Sequence, residues 1–130
     1  MARPIDTLIE PEPSVASFKG WQGIITYLSN WWYGVPGMEE EGLTPPTKQV
    51  LAHAISIAKS LEKQPIEPPS RVVPNGEGGI IFEHYGYSGN DRIYETIEIF
   101  DNLNVELSYY KNSRLISKKP IIGSSISSQI

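Results

Sequence analysis

Between Pro68 and Leu115 the chain alternates apolar and polar positions in short runs, and turn residues separate the runs. The runs are Arg71–Val73, Gly79–Tyr85, Arg92–Phe100, Val105–Tyr110 and Arg114–Ile116. In the third, Ile93, Ile97 and Ile99 alternate with Tyr94, Glu98 and Phe100; in the fourth, Val105, Leu107 and Tyr109 alternate with Glu106 and Ser108. A period of two is that of a strand with one buried face, and β-branched and aromatic residues suit it. The breaks at Pro74 to Gly79, Gly86 to Asp91, Asp101 to Asn104 and Lys111 to Ser113 are rich in Gly, Asn, Asp and Ser, residues that accept a left-handed backbone or pre-set a turn. Connections this short join antiparallel neighbours, because a parallel crossover needs a dozen residues or more. The pattern predicts an antiparallel meander of four to five strands.

One face of such a sheet needs a cover. A helix is predicted from Thr44 to about Lys63, with Thr44 as N-cap and Pro45 at the first helical position. Val50, Leu51, Ala54, Ile57, Ala58 and Leu61 recur at helical spacing, and Lys48, Gln49, Lys59 and Glu62 fall largely opposite. A second helix is read from about Ser14 to Ser29 on the spacing of Phe18, Trp21, Ile25 and Leu28, although Gly20 and Gly23 disfavour it. The fold class is therefore α+β, with one or two helices covering the meander. The predicted shared core is Leu51, Ala54, Ile57, Ala58, Leu61, Ile97, Ile99, Val105 and Leu107.

The length of 130 residues suits one domain. It is read as a flexible segment over 1–13, a single domain over 14–119 and a polar tail over 120–130. The absence of cysteine leaves neither a disulfide framework nor a thiolate metal site and fits a reducing compartment. The first residues lack the basic start and apolar stretch of a secretory signal, and no apolar run is long enough to span a membrane. The expectation is a cytoplasmic protein with no membrane partner.

Candidate chemistry is sparse. A net charge of −4 disfavours nucleic-acid binding by overall field. Lys111, Arg114, Lys118 and Lys119, beside Tyr109 and Tyr110, are the local exception, and they supply a nucleic-acid-binding alternative. His53 sits inside the predicted helix and reads as a boundary residue. Glu83, His84 and Asp91 carry the residue types of a metal-dependent hydrolase, but consecutive strand residues face opposite ways, so Glu83 and His84 need help from elsewhere to converge. The glycines of Asn75 to Gly79 lead into a strand rather than a helix, which makes them a hairpin turn and not a phosphate loop. No serine lies in a nucleophile elbow. No cofactor, metal or catalytic residue is assigned.

The least ordinary stretch is Trp31-Trp32-Tyr33-Gly34-Val35-Pro36-Gly37. Three consecutive large rings before a Gly-Pro-Gly turn do not all fit one small core, so at least one should be exposed. Trp31, Trp32 and Tyr33 are the candidate partner-binding residues. This segment, the Pro-started helix, Pro68-Pro69-Ser70-Arg71-Val72-Val73-Pro74 and Gly78-Gly79-Ile80-Ile81-Phe82-Glu83 together resemble a loose group of small bacterial proteins with no assigned activity. In that group a Trp commonly follows the strand glutamate; here the position is His84. The resemblance covers about Trp31 to Leu115 and implies a short sheet after a helix, with no functional residue to carry over. The function expected is a non-enzymatic protein-interaction module, of the antitoxin-like or inhibitor kind. It would bind another protein through the aromatic segment or a sheet edge.

Overall fold

The computed structural model describes residues 20–38 and 41–121. The flexible segment expected over 1–13 and most of the tail expected over 120–130 lie outside the described residues. Two helices, α1 (Gly20–Asn30) and α2 (Lys48–Glu62), precede five strands, β1 (Arg71–Pro74), β2 (Ile80–Ser88), β3 (Asp91–Ile99), β4 (Val105–Lys111) and β5 (Arg114–Ile121). The strands form one antiparallel sheet in the order β1-β2-β3-β4-β5, the meander that the alternation predicts. β5 runs to Ile121, which is buried, so ordered sheet extends two residues past 119. Among the described residues no helix is long and apolar enough to cross a membrane.

Cross-strand register sorts the sheet into two faces. Val72, Phe82, Ile97 and Leu107 lie side by side, as do Ile80, Ile99, Val105 and Ile121. Both rows face the helices and are buried, apart from Leu107, which is partly covered. From α2 they meet Val50, Leu51, Ala54, Ile57, Ala58 and Leu61, which are all buried. α1 contributes Trp21, Ile24 and Leu28, followed by Trp31. Of the expected stripe, Trp21 and Leu28 are buried, Ile25 is only partly so with Ile24 buried instead, and the expected start from Ser14, including Phe18, lies outside the described residues. Gly23 does not break this helix but is itself buried, since packing of an apolar face outweighs propensity in short helices. Trp21 packs 6.4 Å from Phe82 between ring centroids, and its indole N–H donates to the Ile66 carbonyl at 2.9 Å.

The start of α2 corrects the expected cap. Thr47, not Thr44, is the N-cap, and its hydroxyl accepts from the Val50 N–H at 3.2 Å. Pro46 follows Pro45, and a residue before proline is pushed out of the helical region, so a helix cannot run through Pro45 from Thr44. Thr44 instead bridges the β1–β2 turn: its N–H donates to the Gly76 carbonyl and its carbonyl accepts from Gly78, both at 3.0 Å. Within that turn Asn75 Oδ1 accepts from the Glu77 and Gly79 N–H groups at 2.8 Å, and its amide donates to Glu98 at 2.8 Å. A side chain at Gly79 would meet the Ile99 carbonyl oxygen at 2.4 Å, so this position requires glycine. At the other end of the sheet Asn112 and Ser113 have φ of 51° and 69°, the two positive values of a type I′ hairpin. Replacing Phe82 by Ala is expected to destabilise by about 3–5 kcal/mol, and Leu51 by Ala by about 2–5 kcal/mol, in chemical denaturation. A loss below about 0.5 kcal/mol, the range of surface changes, would refute the shared core.

Candidate functional site

The three candidate rings form a single 3₁₀ turn, Trp31–Tyr33, at the end of α1. The turn closes when the Gly34 N–H donates to the Trp31 carbonyl at 2.9 Å, with Gly34 at φ 117°, a backbone that other residues resist. A 3₁₀ helix has three residues per turn, so consecutive side chains diverge by about 120° and cannot share one direction. The rings divide accordingly. Trp31 is 7% exposed and packs 5.2 Å from Tyr27; Trp32 is 37% exposed, with the Lys48 ammonium 5.4 Å from its ring centroid; Tyr33 is 92% exposed. Leu43 adds exposed apolar surface beside the β1–β2 turn, against Gly76. One buried ring therefore anchors two presented ones.

Glu83, His84 and Asp91 do not converge. Glu83 lies on the sheet face away from the helices. Its carboxylate is held by the Arg71 Nε at 2.7 Å, the Tyr94 hydroxyl at 2.6 Å and the Tyr85 hydroxyl at 3.3 Å, and the residue is only 5% exposed. His84 faces the other way, with Nε2 3.0 Å from the Glu67 carbonyl. Asp91 stands at the far hairpin, where it accepts from the Asn112 amide at 2.9 Å and lies 3.8 Å from the Lys111 ammonium. Among the described residues no three His, Cys, Asp or Glu side chains are grouped to hold a metal ion. The basic residues also separate. Tyr109 and Tyr110 point to opposite faces, Lys118 lies 3.8 Å from Glu106, and Lys119 lines a groove on the helix side with His84, Glu95 and Ser117. That groove, of about 580 Å³, continues the covered face past the end of the helices.

The outward face also carries a feature that sequence reading did not single out. Tyr85, Tyr94 and Tyr110 are cross-strand neighbours, with ring centroids 4.9 Å and 5.4 Å apart. Their hidden signal was the phase of the alternation: once Phe82 and Ile97 are assigned inward, every second residue from them points out. Burial, and then the hydrogen bond to Glu83, push the Tyr94 phenol above its usual pKa. Arg71's own hydrogen bond to Glu83, opposed by desolvation, raises Arg71. No protein-family model, curated protein or solved structure matches the chain.

Because Tyr94 holds its proton more tightly when folded, its contribution to stability is complete below about pH 10, the unfolded phenol's pKa, and is lost as pH rises beyond it. Tyr94→Phe is expected to cost about 1–2 kcal/mol at neutral pH through the lost bond to a carboxylate. It should also flatten the decline of stability above pH 10 in denaturation series. An unchanged alkaline slope would show that Tyr94 is not the group responsible.

Proposed function

We propose that this protein is a non-enzymatic interaction module that binds another protein through Trp32 and Tyr33, in the manner of an antitoxin-like or inhibitor protein. The observation carrying this reading is the near-complete exposure of Tyr33 beside half-exposed Trp32, on a turn fixed from beneath by buried Trp31. A backbone turn already formed before binding loses little freedom on association, and aromatic anchors dominate interface energetics. The turn is short and closed by its own hydrogen bond, so the presented surface is preorganised rather than assembled on contact.

The sheet edges support the same choice of surface. β1 is four residues long and ends in Pro74, while the last part of β5 carries Lys118, Lys119 and Pro120. Short strands, lysines and proline are the devices that keep an edge from pairing with another chain. The aromatic turn has no such guard.

Trp32→Ala with Tyr33→Ala is expected to leave the fold intact and to weaken partner binding by about 2 kcal/mol or more, roughly thirtyfold in Kd. Affinity recovery from the native cell with the intact chain, compared with this double variant, identifies a candidate partner, and titration of the purified pair gives the ratio. Trp31→Ala, by contrast, should destabilise the domain by about 3–5 kcal/mol, as a buried aromatic does. A partner bound equally by intact chain and double variant would remove the assignment to this turn.

A further inference from the structure

We propose that the outward face of the sheet is a homodimer interface, on which a second copy of this chain packs with its strands reversed. Both helices lie on one side of the sheet, and among the described residues no helix or strand covers the other. Yet that face carries Tyr85, Tyr94 and Tyr110 in contact, with Tyr87 75% exposed beside them and Leu115 at the rim. Tyr94 and Tyr110 are partly covered, and Glu83, Thr96 and Ser108 beside them are buried. The exposed part is thus the end of the face formed by Tyr85, Tyr87 and Leu115, and exposed apolar surface of this kind marks an interaction site.

The occupant is indicated by the central strand. On β3 the outward side chains read Arg92, Tyr94, Thr96 and Glu98. Two sheets packed face to face about a two-fold axis across the strands place β3 on β3 in opposite directions. With the axis at Glu95, Arg92 of each copy then stands over Glu98 of the other, and Tyr94 over Thr96. The same operation sets Tyr87 of β2 over Ile81 and Tyr110 of β4 over Ser108. The face is complementary to its own reverse in both charge and size.

The charges are available for this. The exposed Arg92 side chain has no ion pair among the described residues; the bonds to Asn112 are made by its backbone, the N–H donating to Asn112 Oδ1 and the carbonyl accepting from the Asn112 N–H. Glu98 uses one carboxylate oxygen on Asn75. A partner of a single charge sign would meet one of these two residues unfavourably, whereas a second copy matches both. The area is also sufficient: the five strands, four to nine residues long and about 4.8 Å apart, give roughly 600 Å² per copy, or about 1,200 Å² in all, the lower bound of standard interfaces. The aromatic turn, which lies on the helical layer, remains free in such a dimer, so the two surfaces are tested independently.

Sedimentation equilibrium of the intact chain is the test. At about 100 µM, where a complex with Kd near 10 µM holds roughly four-fifths of the chains, the wild type should approach twice the chain mass. Arg92→Glu and, separately, Glu98→Arg should each raise the dimer Kd at least about tenfold, and the double exchange R92E/E98R should restore it, because the pairs re-form with signs reversed. Tyr87→Glu, away from the Asn75 turn, is a second disrupting variant should Glu98→Arg unsettle that turn; circular dichroism verifies that each variant is folded. A wild type that remains monomeric at this concentration would overturn the proposal. So would a dimer indifferent to both Arg92→Glu and Tyr87→Glu.

Discussion

The structure depends on the burial of one sheet face under two helices too short to be stable alone. α1 has eleven residues and α2 fifteen, lengths at which an isolated helix is marginal in water. A bare meander is equally incomplete, since its apolar rows would face solvent. Each layer therefore supplies what the other lacks. Phe82 stands where this exchange is most concentrated, fully buried, flanked in the sheet by Val72 and Ile97 and touched from α1 by Trp21. The Trp21 indole bonded to Ile66 extends the same packing into the chain between α2 and β1, so α1 is joined to that connection by a polar contact as well as by packing.

Much of this was legible because burial is written periodically. The α2 stripe matches its prediction residue for residue, and the breaks between strands fall where Asn, Asp, Gly and Ser cluster. Two kinds of information were not local. The proline pair before α2 moved the cap from Thr44 to Thr47, and what Thr44 does instead depends on a turn more than thirty residues later. On α1 the expected positions Trp21 and Leu28 are buried, and one neighbour goes deeper than expected: Ile24 is fully buried where Ile25 was expected, because the two residues are chemically identical and only packing distinguishes them.

At the candidate site, sequence gave the inventory and geometry gave the grouping. That Trp31, Trp32 and Tyr33 could not all be buried followed from their number, but which ring goes inward is set by the turn that ends α1. Glu83 shows the converse. Adjacent to His84 in sequence, it belongs instead with Arg71, Tyr85 and Tyr94, residues brought to it by β-pairing. A carboxylate this shielded on the sheet face opposite the helices is tolerable because all three neighbours donate to it, which offsets its desolvation. The tyrosine hydroxyls are thereby turned down toward the sheet, leaving ring carbon as the outward surface.

The division of the tryptophans has an optical consequence. Trp21 and Trp31 are shielded, whereas Trp32 is partly open to solvent and lies beside a lysine ammonium. Emission from the chain is thus a sum of two blue-shifted contributions and one red-shifted one, and the red component originates at the aromatic turn. Any molecule that covers that turn changes the colour of the protein's own fluorescence, so the surface carries a built-in, label-free reporter of its occupancy.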